Sequence, residues 1–170
     1  VRVADADLAD QAAVIAEVRV LAVEPAPGAA GPATDYLVEI EDLIAGYVPG
    51  SSIVVRVLGG RTADGFELVV AGAPRFAEGQ TVLLFLLPRD DGTFDILHLM
   101  LGAFHVLELD GKRVAYRDLS EATEIQRAGA KHPEPERPRD LERFGAWLRD
   151  HAGGIERPAD YRLEAPAGGL

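Results

Sequence analysis

The chain reads as a mainly β protein: a small OB-like antiparallel β-barrel followed by one helix and an extended tail. Three observations predict this. Short segments alternate apolar and polar residues and are bounded by Gly, Pro and Asp. Asp91-Gly92 and Asp110-Gly111 each sit between apolar runs, which is the strongest short-range hairpin signal. A clear helical stripe occurs only near the C-terminus, so strands never alternate with helices and a parallel nucleotide-binding sheet is excluded.

The elements follow in order. An Asp-rich opening (Asp5, Asp7, Asp10) precedes a strand at 13–24 (AVIAEVRVLAVE), where Ala16, Val18 and Val20 share one parity and Glu17 and Arg19 the other. A Pro/Gly/Ala loop leads to a strand at 34–43 (TDYLVEIEDL), with Tyr36, Val38 and Ile40 on one face and Glu39 and Glu41 on the opposite, solvated one. Pro49-Gly50 turns the chain into 52–58 (SIVVRVL), with Ser51 and Ser52 at the strand entry. Gly59-Gly60 and Asp64-Gly65 bound a loop before a strand at 66–71. The apolar run 81–87 (TVLLFLL) has strand length and stops at Pro88. Together with 93–100, 104–109 and 113–116 it is expected to form a meander, with Gly102 marking a bend or bulge between the middle two.

Three prolines make 130–138 a linker. Asp140 then caps a helix whose stripe is Leu141, Phe144, Trp147, Leu148 and His151, ended by Gly153-Gly154. Trp147 is expected to dock on the barrel, and residues 158–170 to form an extended arm. The division is therefore a barrel domain at 1–129 and, at 130–170, a linker, helix and arm. That arm packs on the barrel or a neighbour through Phe144, Trp147 and Tyr161.

Charge narrows the partners. The 170 residues carry 17 Lys+Arg and 28 Asp+Glu, a formal net charge of −11. Residues 1–110 hold 6 basic and 17 acidic side chains, whereas 111–170 hold 11 of each. An acidic barrel without a basic, aromatic-lined groove is a poor receptor for nucleic acid. The longest apolar stretches fall well short of the ~20 residues of a membrane helix, so no membrane insertion is expected. Cysteine is absent, which removes disulfides, thiolate metal sites and cysteine nucleophiles.

The search for chemistry is short. No serine lies in a G-x-S-x-G elbow and no H-E-x-x-H helix is present. His98 and His105, with Asp95, are the candidate metal ligands, because a bend at Gly102 could bring the two histidines to one face. Against this, strand residues seven apart have opposite parity. Asp90-Asp91-Gly92 is turn chemistry before it is a calcium loop. No catalytic residue, no cofactor and no resident metal is expected.

Several blocks resemble a known domain. They are Thr34-Asp35-Tyr36, Val57-Leu58-Gly59-Gly60 and above all Ala73-Pro74-Arg75-Phe76-Ala77-Glu78-Gly79 running into Val82-Leu83-Leu84-Phe85-Leu86. Together these resemble a bacterial extracellular OB-like β-barrel domain, found N-terminal in secreted matrixin-like metalloproteases and related exported proteins. The opening at 7–12, the helix at 141–149 and Arg157-Pro158-Ala159-Asp160-Tyr161 fit the same pattern. The resemblance implies a barrel of the kind seen in tissue inhibitors of metalloproteinases, without their disulfides. It also implies export, after signal-peptide removal, to the outside or surface of the cell. No protease residue is carried over, since the zinc-binding helix would lie beyond Leu170.

The leading expectation is a secreted, non-catalytic protein-binding or accessory module. The second is a self-assembling subunit of an extracellular fibre or surface layer, making the partner a protein or another copy of the chain. The third is a metal-dependent enzyme using His98 and His105.

Overall fold

The computed structural model describes residues 3–27, 31–121 and 136–164. Part of the expected linker (130–135) and the end of the expected arm (165–170) lie outside the described residues. A short helix α1 (Asp5–Gln11) opens the fold, followed by two long strands, β1 (Val14–Pro25) and β2 (Ala33–Ala45). Then come β3 (Ser52–Leu58), a small hairpin of β4 (Gly60–Arg61) and β5 (Glu67–Leu68), and the apolar strand β6 (Thr81–Pro88). β7 (Phe94–Ile96), β8 (Ala103–Leu109) and β9 (Lys112–Tyr116) precede β10 (Arg139–Asp140) and the helix α2 (Leu141–Ala152).

β1, β2, β3, β7 and β6 form a closed five-strand barrel, because β6 pairs back with β1. The barrel is mainly antiparallel but mixed, since β3 and β7 meet in parallel at Val55 and Phe94. Register shifts along β1 and β2, between Ile15 and Ala16, Glu17 and Val18, and Val20 and Ala22, mark the irregularities that bend a long ribbon around a barrel.

The expected meander takes a different form. β7 and β8 do not pair with each other; both pair with β6, β7 at Leu86–Pro88 and β8 at Val82–Leu84. They are two halves of one strand, interrupted by a 3-10 turn at Leu99–Gly102. The interruption has a physical cause. His98 and Leu99 both adopt left-handed backbone at φ 54°, and a side chain on Gly102 would meet the Leu97 carbonyl oxygen at 2.1 Å. The kink sends the first half to close the barrel against β3 and the second half outward to pair with β9. The expected strand at 66–71 shrinks to the two residues of β5.

Two apolar cores result. Val18, Val38, Val55, Val82, Leu84 and Phe94 are among the residues filling the barrel. Ile15, Leu83, Phe85 and Phe104 point out of the barrel wall into a second core, covered by Leu8 of α1, by Leu141, Phe144 and Leu148 of α2, and by Tyr161. β6 is thus buried on both faces, which is why its sequence is a continuous apolar run rather than an alternation. The α2 cap is as expected: the Asp140 carboxylate accepts the Arg143 backbone N–H at 3.1 Å. Trp147 sits less deeply than expected. Phe144 and Leu148 make the buried contact, while Trp147 stacks on Phe144 and His151 and donates its indole N–H to the Arg157 carbonyl at 3.1 Å.

Polar contacts lock the chain ends onto this second core. Arg139 of β10 donates to both carboxylate oxygens of Asp5 in α1, at 3.0 and 2.7 Å, and the Tyr161 hydroxyl donates to the same carboxylate at 2.9 Å. Glu136 bridges Arg139 to Arg117. Glu17 departs from its polar parity: it is buried and paired with Arg113 of β9. No helix among the described residues is long and apolar enough to cross a membrane.

Candidate binding clefts at the barrel mouth

The loop between β5 and β6 packs against one end of the barrel core through Ala73 and Phe76. The Ala73–Gly79 block lies in this loop. Phe76 is its plug: its buried ring packs edge-on to Tyr36 at 5.1 Å and against His105 at 5.7 Å. Gly79 sits at φ 83°, where its backbone N–H donates to the Val20 carbonyl at 2.8 Å and ties the block to β1. Ala73 packs at the edge of the barrel core, and Pro74 is buried. Arg75, between the buried Pro74 and Phe76, is exposed. Burial raises the pKa of the Tyr36 hydroxyl, with a Phe76 backbone hydrogen bond and the Arg75 charge opposing it.

Two clefts flank Arg75, and both are lined by Ala73, Pro74 and Arg75. The first, about 210 Å³, is mixed in character: Val23, Tyr36, Val57, Leu58, Leu68, Val70 and Phe76 share its walls with Thr34, Glu67, Arg75 and the Gly59-Gly60 backbone. The second, about 170 Å³, is polar on one side, with His105, Asp118, Ser120 and Glu121 facing Met100 and Gly72. Here Asp118 accepts the Ser120 N–H at 3.0 Å and Glu121 accepts the Gly72 N–H at 2.9 Å. Burial pushes the His105 imidazole below its ordinary 6.5, against the opposing charge of Asp118.

Beyond the first cleft the β4–β5 hairpin carries its own side chains into solvent. Phe66 is 75% exposed, Val69 62% and Leu58 61%, with Leu68 and Val23 also uncovered. Five large apolar side chains at one end of a barrel make a surface that water alone does not favour.

The candidate metal ligands do not converge. The exposed His98 meets Gln11 at 2.9 Å beside α1. His105 stands between Phe76 and Tyr116 at the mouth, and Asp95 is held by Arg89 at 2.8 Å. Among the described residues no group of three or more His, Asp or Glu is arranged to hold a metal ion. Asp91 accepts from both the backbone and the hydroxyl of Thr93, at 3.0 and 2.6 Å, as a turn aspartate does.

Sequence reasoning singled out the 73–79 block as a structural motif and missed the cleft it builds. Phe66 and Val69 read as residues of the expected strand at 66–71, and their exposure emerges only because that strand shrinks to Glu67–Leu68. Glu121 and Asp118 gave no signal, since they reach the cleft only through the fold.

No family model, curated protein or solved structure matches this chain. The fold itself is a small mainly β domain: a five-strand closed barrel, additional strands and a C-terminal helix.

Proposed function

We propose that this chain is a non-catalytic protein-binding module that docks a partner at the barrel mouth. One observation carries the reading: Val23, Leu58 and Leu68 are exposed in the wall of the first cleft, and Phe66 and Val69 are exposed next to Glu67 and Leu68 along the chain. Exposed apolar side chains grouped around a cleft are a usual mark of a protein interface. Export, and kinship with the barrel that accompanies matrixin-like metalloproteases, belong to the same proposal. Both rest on the sequence blocks described above, above all 73–79. Metal chemistry at His98 and His105 is not part of it, because the two side chains have separate partners.

Phe66→Ser with Val69→Ser tests the patch without touching either core. Immobilised wild-type protein should retain at least one protein from culture medium that the double variant loses, with both proteins unfolding at the same temperature. An identical retained set would remove the reading. Light scattering addresses the second candidate, self-assembly: a wild-type oligomer that the same variant dissolves would make a second copy of the chain the partner.

A further inference from the structure

We infer that the first of the two clefts takes a protein loop presenting one bulky apolar side chain next to a carboxylate, with the side chain against Val57, Leu58, Leu68 and Val70 and the carboxylate meeting Arg75. The inference deepens the protein-binding reading and rests on it.

Size sets the first limit. An apolar cavity near 150 Å³ holds a benzene-sized group, and drug-sized ligands need roughly 300 Å³ or more. At about 210 Å³ the cleft suits a single leucine- or phenylalanine-sized side chain. Charge sets the second. The cleft is lined by two charged residues, Glu67 and Arg75. Glu67 lies 3.7 Å from Arg61 and so has a cation beside it. Arg75 differs from the other described arginines of residues 3–110. Arg19, Arg56, Arg61 and Arg89 each lie within 4.0 Å of a carboxylate, whereas Arg75 has no such partner among the described residues.

The neighbouring acids do not fill that role. Neither Asp118 nor Glu121 lies within 4.0 Å of Arg75; Asp118 Oδ1 accepts from the Ser120 N–H and Glu121 Oε2 from the Gly72 N–H. A guanidinium without a carboxylate partner among the described residues, set beside the apolar part of a cleft wall, offers a two-pronged donor to an incoming carboxylate. The acidic body would by itself favour a basic partner. A Debye length of about 8 Å at physiological salt confines that repulsion, while direct contact at Arg75 is screened much less.

Two acetylated, amidated pentapeptides test this: Gly-Ser-Leu-Glu-Gly and its counterpart with Gln in place of Glu. Each is titrated into ¹⁵N-labelled full-length chain. The glutamate peptide should shift the amides of Gly59, Val70 and Phe76 and bind roughly fivefold more tightly than the glutamine peptide. Arg75→Gln should make the two peptides equal without moving the thermal midpoint, since Arg75 is exposed. Equal binding of both peptides to wild type, no shift from either, or tighter binding of a lysine-bearing version would overturn the inference. If the peptides are indistinguishable while Phe66→Ser with Val69→Ser still abolishes partner capture, the protein-binding reading stands and the carboxylate preference falls.

Discussion

Asp5 is 2% exposed and shares its carboxylate among Arg139, Tyr161 and Arg162. Burial alone would raise its pKa. The hydrogen bonds and charge of Arg139, the charge of Arg117 and the Tyr161 hydroxyl outweigh that and hold the carboxyl below its ordinary 3.8. Arg139 is buried to 1% exposure and lies over the Phe104 ring, 4.8 Å from its centre. Removing one partner of such a pair strands the other charge in an apolar core. Asp5→Ala should therefore cost about 3 to 5 kcal/mol in urea unfolding. A loss under about 1 kcal/mol would mean that Glu136 alone satisfies Arg139.

Among the elements, the interrupted strand of β7 and β8 is the one on which barrel closure depends. Its 3-10 turn lets Phe94 reach β3 and His105 reach β9, and Gly102 makes the turn possible. Gly102→Ala forces a methyl group against the Leu97 carbonyl, and overpacking of this kind costs roughly 1–3 kcal/mol. The expected outcome is a lowered urea midpoint, with amide shifts concentrated at 94–105; an unchanged midpoint would show that the turn has room to relax. The end of α2 has a smaller dependence. Asp140→Ala removes one N-cap acceptor and should cost about 1 kcal/mol. Asp140→Asn, which keeps an acceptor, should retain most of it.

At the scale of the whole molecule, stability should fall on acidification in two stages. His105 is half-buried, and desolvation lowers its pKa from 6.5, so the unfolded chain takes up that proton first. Stability from the neutral ring is complete above pH 6.5 and declines as pH falls through that value. Asp5 and Glu136 also have lowered pKa values, from 3.8 and 4.5. For Glu136, burial raises the value while Arg117 and Arg139 lower it further. Their contribution is present above the unfolded values and lost as pH drops below about 4.5. Unfolding free energy measured from pH 8 to 3 should show a shallow limb that His105→Gln removes, and a steeper acid limb that it leaves in place. A single limb unaffected by His105→Gln would refute the first stage.

Local pattern was enough for most of the architecture. Periodicity placed Ser52–Leu58, Thr81–Pro88 and α2 within a residue or so, because each shows its buried face in its own residues. The lone helical stripe excluded an alternating α/β sheet. What the sequence could not carry was any feature made by residues far apart. Glu17 has the parity of a solvated strand residue, yet β9 brings Arg113 over it. His98 and His105 look like a pair along the chain, yet the kink assigns one to Gln11 and the other to Phe76. Arg75 resembles any surface arginine until the fold places it between two clefts with no carboxylate within 4.0 Å among the described residues. By itself, then, the sequence determined a mainly β barrel with an acidic body and a capped terminal helix, since alternation, turn chemistry and charge are local quantities. Only the tertiary structure decided the parallel closure, the second core, the Asp5–Arg139 contact and the cleft at the mouth. Each of those depends on pairs separated by tens of residues, whose meeting is set by chain path rather than by local preference.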